Sequence, residues 1–223
     1  MLQFSLLARI KKRAYKSLVR QRQAGDTRRR IVEATRRLLQ TEGYAGMTIE
    51  AIARRAEVSA QSVYAIFKSK TGILTELLDQ SSFGVDYEDA VRQARSASDP
   101  ETRLRMAARV ARQIRGAQSA TFDLMRGAGV VAPELAKLEQ NRERLRYEGE
   151  AGTITFLREA GRLRPGLDQK TARDIFWMLT GGDVYRMLVR ERKWSPQKYQ
   201  DWLADTLLHS LLAPVDSSAG NEK

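Results

Sequence analysis

Gln61, Ser62 and Tyr64 bring three hydrogen-bonding side chains together near the start of a short predicted helix. A glutamine amide can form a bidentate hydrogen bond to adenine, and the methyl group of the neighbouring Ala60 can contact thymine. Such contacts require that the start of the helix projects from its neighbours, because only then can short side chains enter a groove of DNA.

The surrounding segment, residues 48–67, reads TIEAIARRAEVSAQSVYAIF and predicts two short helices joined by a tight connection near residues 57–59. Thr48 and Ser59 can cap the two helices, and the small or apolar residues Ile52, Ala53 and Val63 allow them to pack closely. The pattern favours a helix-turn-helix, in which the second helix enters the major groove. A plain helical hairpin within a bundle would show the same spacing.

Charge is concentrated in the same part of the chain. Residues 1–70 contain 16 Lys/Arg against five Asp/Glu, whereas residues 71–223 contain 23 against 22. This asymmetry indicates a polyanionic partner for the N-terminal part, either nucleic acid or an anionic membrane surface. Residues 1–30 alone hold ten Lys/Arg and one acid. They could form an arm that enters a minor groove, a solvated tail, or a stretch upstream of the true start.

The composition offers little for catalysis. The chain has no cysteine and a single histidine, His209, which excludes disulfides and thiolate metal sites and disfavours histidine-based chemistry. We find no nucleophile–base pattern and no glycine-rich phosphate loop, so we predict no enzyme, no cofactor and no metal. No apolar run approaches the roughly 18 residues of a membrane span, and a cytoplasmic location without membrane contact is expected.

Helix formers dominate and no strand pattern is present, so an all-α fold is predicted, with an N-terminal helix-turn-helix domain followed by a larger helical domain. Asp26 is predicted to cap the first helix, which would end before Gly43. Further helices should begin at Lys70, Pro100, Pro133, Asp168 and Ser195. The predicted parts are a basic extension (1–25), the helix-turn-helix domain (26–79), the regulatory domain (80–213) and a disordered tail (214–223).

Residues 27–78 resemble the DNA-binding domain of the TetR family of bacterial repressors. The residues that fit the family pattern in order and spacing are Gly43-Tyr44, Thr48, Val58-Ser59, Tyr64, Phe67 and Lys70. The resemblance implies base contacts from Ala60, Gln61 and Tyr64. It implies phosphate contacts from Thr48, Ser62, Tyr64 and Lys70, with Lys68 as a further one. Ala65-Ile66 departs from the bulkier or polar residues common in the family, which puts a contact from that turn in doubt.

The remainder resembles the family's regulatory domain in architecture only. That resemblance implies a ligand pocket and a homodimer formed by the last two long helices, here about 168–192 and 196–212, with apolar stripes that include Leu203 and Leu207. These stripes could instead face their own core. Met125, Tyr147, Phe156 and Trp177 are candidates to line the pocket, although core packing is an alternative. The carboxylates of Asp123, Glu150 and Asp183 could meet a cationic ligand or form ordinary salt bridges.

The expected function is therefore a dimeric repressor that binds double-stranded DNA at a palindromic operator and is released by a small-molecule effector. One alternative is a DNA-binding regulator without a small ligand, controlled by a partner protein. A helical enzyme with an incidental helix pair is the third possibility, against which the missing catalytic groups and the clustered charge argue.

Overall fold

The computed structural model describes residues 2–82, 85–129 and 132–214, and it gives side-chain contacts for residues 22–79, 89–117 and 132–214. Throughout these residues the chain is helical, without a strand, apart from one isolated bridge between Leu163 and Leu212. The predicted all-α fold is confirmed. The chain divides into two compact units, Met1–Leu77 and Leu78–Lys223. None of the described helices is long and apolar enough to cross a membrane.

The first unit is built from α1 (Leu2–Gly46), α2 (Ile49–Arg55), α3 (Ala60–Phe67) and the start of α4 (Lys70–Ser82). Each of these helices turns apolar side chains inward, which is why the four helices can enclose one small core. These side chains include Ile31, Leu39, Met47, Ile52, Val63, Ile73 and Leu74.

The predicted start of the first helix at Asp26 is wrong. Helix α1 begins at Leu2, and Asp26 lies inside it, where its carboxylate accepts from Arg29 at 2.9 Å. Residues 2–25 contain no proline to stop a helix, so a single capping residue does not interrupt the helix formers around it. Gly43 was expected at the C-terminal end, and it adopts a left-handed φ of 68° that kinks the helix there.

Within the described residues, the second unit contains the end of α4 and six further α-helices. These are α5 (Val85–Ser96), α6 (Pro100–Gly129), α7 (Pro133–Glu159), α8 (Gln169–Leu179), the short α9 (Gly182–Tyr185) and α10 (Pro196–Leu211), with a π-helical turn at Arg186–Glu191 between the last two. The predicted caps are confirmed at Asp168, which accepts from the backbone of Thr171 at 3.0 Å, and at Ser195, which accepts from that of Lys198 at 3.1 Å.

The single helix predicted over about 168–192 is wrong, because it breaks after Leu179. Gly181 is extended, with φ −67° and ψ 157°, and the chain re-enters a helix only at Gly182. Two adjacent glycines make a helix interior unfavourable. At Gly181 an added Cβ would also lie 3.0 Å from the carbonyl oxygen of Met178, so a larger residue would crowd this break.

Two of the residues predicted for the dimer interface belong to the core of the second unit instead. Leu203 and Leu207 of α10 are fully buried among side chains of α6, α7 and α8. Their part of the interface prediction is therefore wrong, since a residue buried in its own unit cannot contact a second chain. By contrast, two methionines near the break at Gly181 are exposed, Met178 by 52% and Met187 by 44%.

The domain boundaries predicted from the sequence, at residues 25/26, 79/80 and 213/214, stay predictions. Residues 215–223 of the predicted tail lie outside the described part of the chain.

Candidate nucleic-acid interface

The corner between α2 and α3 is fixed by short-range hydrogen bonds. The hydroxyl of Thr48 accepts from the backbone of Ala51 at 3.1 Å, and that of Ser59 accepts from the backbone of Ser62 at 3.1 Å, so both predicted caps are confirmed. Between the helices, Glu57 adopts a positive φ of 54°. These contacts hold the start of α3 in a defined direction.

Helix α3 has two distinct faces. Val63 and Phe67 are buried and attach the helix to the core. On the other side an exposed stripe, which we name the α3 stripe, consists of Gln61, Tyr64, Ala65 and Lys68. Gln61, Tyr64 and Ala65 follow the spacing i, i+3 and i+4, so their side chains leave the helix on one side. Lys68 continues the stripe as the residue that directly follows the helix. Tyr64 is half exposed, unusual for a large aromatic residue without a functional role.

Several predicted contact residues already have an intramolecular partner. The hydroxyl of Ser62 lies 2.8 Å from that of Ser59, the ammonium of Lys68 donates to the carbonyl of Ala65 at 2.9 Å, and the hydroxyl of Thr48 serves as a cap. A hydroxyl keeps further donor and acceptor capacity, and an ammonium has three donors. Ala60 lies half-buried beside the α3 stripe rather than within it.

Lys70 is held by Tyr44. Its ammonium donates to the carbonyl oxygen of Tyr44 at 2.7 Å and lies 3.6 Å from the centre of the Tyr44 ring. Both contacts position the positive charge at the start of α4. A helix start also presents backbone N–H groups, so this point is suited to an anion such as a phosphate.

Sequence reasoning missed three cations of the first unit. Arg54 and Arg55 are exposed in the last turn of α2, the helix that lies against the phosphate backbone in a helix-turn-helix. Arg28 of α1 donates to Glu76 at 2.8 Å, which raises its pKa, and its guanidinium lies 4.8 Å from the centre of the Phe67 ring. The adjacent arginines near the end of a short predicted helix were the signal for the first two.

Comparison with known proteins agrees with this geometry. Residues 31–77 match the model of the bacterial regulatory proteins of the tetR family. The chain therefore carries a DNA-binding domain of the TetR family at residues 31–77. It is accordingly a DNA-binding transcriptional regulator, and the predicted helix-turn-helix is confirmed. No curated protein matches the chain.

Solved structures share the TetR fold over most of the chain. A protein from Saccharomonospora viridis described as a transcriptional regulator, solved with choline, is 22% identical, with a TM-score of 0.63 over 85% of this chain and 100% of that one. NalD, the secondary repressor of the MexAB-OprM multidrug efflux pump in Pseudomonas aeruginosa, is 19% identical, with a TM-score of 0.63 over 85% and 98%. A complex of SmeT with triclosan is 18% identical, with a TM-score of 0.67 over 86% and 93%.

The described residues of the second unit line two cavities, of about 450 and 560 Å³. Of the residues predicted to line a pocket, Trp177 lies in the wall of the second cavity, whereas Tyr147 and Phe156 line neither. The hydroxyl of Tyr147 donates to Asp174 at 2.8 Å, and the Phe156 ring lies 3.7 Å below the Arg103 guanidinium. The side chain of Met125, like that of Asp123, lies outside the described residues.

Arg146 organises the wall shared by the two cavities. Its guanidinium donates to the carboxylates of Glu143 at 2.5 Å and Glu150 at 2.9 Å, and to the hydroxyl of Thr180 at 3.0 Å. Burial raises the pKa of Glu150, and the hydrogen bonds and charge of Arg146 oppose that rise. Glu150, expected to meet either a cationic ligand or a salt-bridge partner, thus has an intramolecular ion pair. Among the described residues, no group of three potential metal ligands is present.

Proposed function

We propose that this protein is a repressor that binds a palindromic operator as a homodimer and is released by a small-molecule ligand, acting by binding rather than by catalysis. The observation that carries the proposal is the α3 stripe, a polar face exposed on a helix whose opposite face is anchored in the core. A regulator of chromosomal DNA would act in the cytoplasm.

We assign reading of the bases to the start of α3. Gln61 lies two residues after the cap Ser59, so its amide extends from the first turn, where base edges are within reach. Tyr64 and Ala60 would contact neighbouring bases. Phosphates would be bound by hydroxyl and ammonium groups in and beside the α3 stripe. These groups belong to Thr48, Ser62, Lys68 and Lys70, and contacts to phosphates position a protein without reading the base sequence.

Control by a ligand is supported by the two cavities of the second unit. Their volumes fall within the range of about 300–1,000 Å³ that is usual for small-molecule sites. Two of the structurally similar proteins were solved with choline and triclosan, and a third is the repressor of an efflux pump. In a dimer, a ligand that changes the distance between the two α3 helices from the required 34–36 Å or so would release the DNA. A coupling free energy of about 1–3 kcal/mol would suffice.

The homodimer would use the outward side of the last helices. Met178 and Met187 are exposed apolar residues on either side of the break at Gly181, and large exposed apolar side chains that lie near one another indicate an interaction surface. The sedimentation behaviour of the chain tests this assignment directly.

The decisive experiment selects bound duplexes from a random DNA pool and then titrates variants against the selected and a scrambled duplex. Gln61→Ala should weaken binding to the selected site by about 1–3 kcal/mol and relax the preference at one base pair per half-site. Lys70→Ala should weaken binding to both duplexes and lower the salt slope by roughly one unit per lost contact.

Tyr64→Phe should have an effect intermediate between those of Gln61→Ala and Lys70→Ala on the affinities for the two duplexes. The reason is that the ring of Tyr64 can touch bases while its hydroxyl can reach a phosphate. Equal losses of Gln61→Ala on both duplexes would show that α3 does not enter the groove as proposed. Selection of no preferred sequence would contradict the operator-binding function itself.

A further inference from the structure

Arg115 places a positive charge inside the second unit. It is only 7% exposed, and its Nε donates to the carbonyl oxygen of Thr180 at 3.2 Å. A guanidinium has five N–H donors in a planar fork. Within the described part of the chain this is its one hydrogen bond, and it forms no salt bridge. Its remaining donors therefore have no protein acceptor there.

The nearest carboxylates are already used by a different arginine. Glu143 and Glu150 act on Arg115 electrostatically, but the arginine that donates hydrogen bonds to them is Arg146. Glu150 also accepts from the hydroxyl of Thr180, and its second oxygen has no partner among the described residues. Glu143 also accepts from the indole of Trp177 at 3.1 Å. Arg146, moreover, is a like charge that acts against Arg115. The ion pairs of this region thus satisfy one arginine and leave the other.

An arginine in this position is energetically costly. Burial, followed by the charge of Arg146, lowers the pKa of Arg115, yet a guanidinium keeps its proton in proteins. A buried charge without a hydrogen-bonded counterion destabilises a fold. That cost would be offset if an anion with two acceptor oxygens approached, since arginine and carboxylate form two parallel hydrogen bonds.

The first cavity leads to this charge along an apolar wall. One face of α6 lines it with Ala107, Val110, Ala111 and Ile114, and Phe176 of α8 closes another side. Residues 107 and 115 are about 12 Å apart along the helix at a rise of 1.5 Å per residue. The cavity therefore offers an apolar face that leads to Arg115, beside the paired Arg146, Glu143 and Glu150. Its lining also includes Arg95, Arg103 and the ion pair of Arg142 with Asp79.

We propose that the first cavity binds an apolar monocarboxylate, whose carboxylate accepts two hydrogen bonds from Arg115 while its body lies against the apolar face of α6. This inference rests on the proposed control by a ligand, for which it names the chemical class.

Calorimetric titration of the full-length protein with decanoate, and separately with decanol, tests the proposal. Decanol has the same apolar body but no negative charge. We expect decanoate to bind at least about tenfold more tightly than decanol, since a hydrogen-bonded charge pair contributes about 1.5–3 kcal/mol. Arg115→Gln should abolish this difference and leave decanol binding unchanged.

The matched control is Arg109→Gln, which removes the same charge from an exposed position of the same helix and should preserve decanoate binding. Arg115→Lys keeps the charge but loses the planar fork, so it should retain a weakened preference for decanoate; this variant also serves if Arg115→Gln does not fold. The assignment would be overturned if the wild type bound decanoate and decanol with equal affinity, or bound neither. It would also be overturned if both Arg115 variants kept the full preference for decanoate.

The two proposals fail in distinguishable ways. If decanoate binds through Arg115 but leaves the affinity for the selected DNA unchanged, the carboxylate site at Arg115 is supported and its role in the release of DNA is contradicted. If a compound without a negative charge releases the DNA and decanoate does not bind, control by a ligand stands and the carboxylate assignment is overturned.

Discussion

Substituting Gly72 with alanine should disrupt the connection between α3 and α4. A Cβ at this position would lie 2.2 Å from the carbonyl oxygen of Phe67, a backbone atom. An ordinary carbon–oxygen contact is about 3.3 Å or longer, so the two atoms would have to separate by about 1.1 Å. The same carbonyl accepts from the backbone of Ser69 at 2.7 Å, and the Phe67 side chain is buried, so the movement would disturb both the turn and the core.

The expected magnitude follows from these contacts. Overpacking costs about 1–3 kcal/mol, and loss of the turn hydrogen bond adds about 1 kcal/mol. In the opposite direction, replacing a helical glycine by alanine stabilises the folded state by about 0.5–1 kcal/mol. The net expectation for Gly72→Ala is a loss of about 1–3 kcal/mol in the stability of the first unit, with a weaker affinity for the selected DNA because the turn supports both α3 and Lys70.

Thermal unfolding followed by circular dichroism, together with the DNA titration, measures both effects. The matched control is Gly152→Ala in α7, where no atom lies within 4 Å of the added Cβ, so the variant should be as stable as the wild type or more stable. If Gly72→Ala unfolds at the wild-type temperature and binds DNA with wild-type affinity, the close approach to Phe67 does not constrain the turn, and the reasoning fails.

Further predictions concern single positions and the N-terminal extension. Glu57→Gly should stabilise the first unit by about 1 kcal/mol in thermal unfolding, because a left-handed φ disfavours side chains, whereas a matching Ala variant should not. Hydrogen bonds, first that of the Thr171 hydroxyl, lower the pKa of Asp168, so this carboxylate should stabilise the fold above its usual pKa range and lose that effect as pH falls through its pKa in the folded state. The unfolding temperatures of Asp168→Ala and the wild type should therefore converge at acidic pH, while Asp168→Asn keeps a capping side chain. Burial raises the pKa of Tyr199 to about 12, and its hydroxyl has no hydrogen-bond partner among the described residues. Tyr199→Phe should therefore unfold at the same or a higher denaturant concentration, and a clear loss of stability would contradict this reasoning. Deleting residues 1–24 should weaken DNA binding and flatten its salt dependence, and an unchanged slope would favour a solvated tail.

The helix-turn-helix was predictable because its determinants are local. The caps Thr48 and Ser59 bond to backbone groups three residues away, so their effect is visible in a short stretch of sequence. The same local reasoning failed at Asp26, where the surrounding helix formers outweighed a capping residue. Local reasoning failed again for α10. Its amphipathic stripe indicates that Leu203 and Leu207 are buried, but not whether they pack in the core of their own unit or against a second chain.

The interior of the second unit was much less accessible to sequence reasoning. An arginine such as Arg115 is almost always a surface residue, and its burial depends on Thr180, which follows 65 residues later in the chain. Aromatic residues were sensible candidates for a cavity wall, yet only packing decides that Trp177 lies at a cavity while Tyr147 turns its hydroxyl to Asp174.

The position of the tryptophans gives the protein a built-in optical signal. All three, Trp177, Trp194 and Trp202, belong to the second unit, whereas the aromatic residues of the first unit are tyrosine and phenylalanine. Indole fluorescence therefore originates from the second unit alone. Because Trp177 lines the second cavity and its indole N–H donates to Glu143, a change at that wall should alter its emission. Ligand binding and unfolding of the second unit can thus be followed without a label, because the first unit contributes no tryptophan fluorescence.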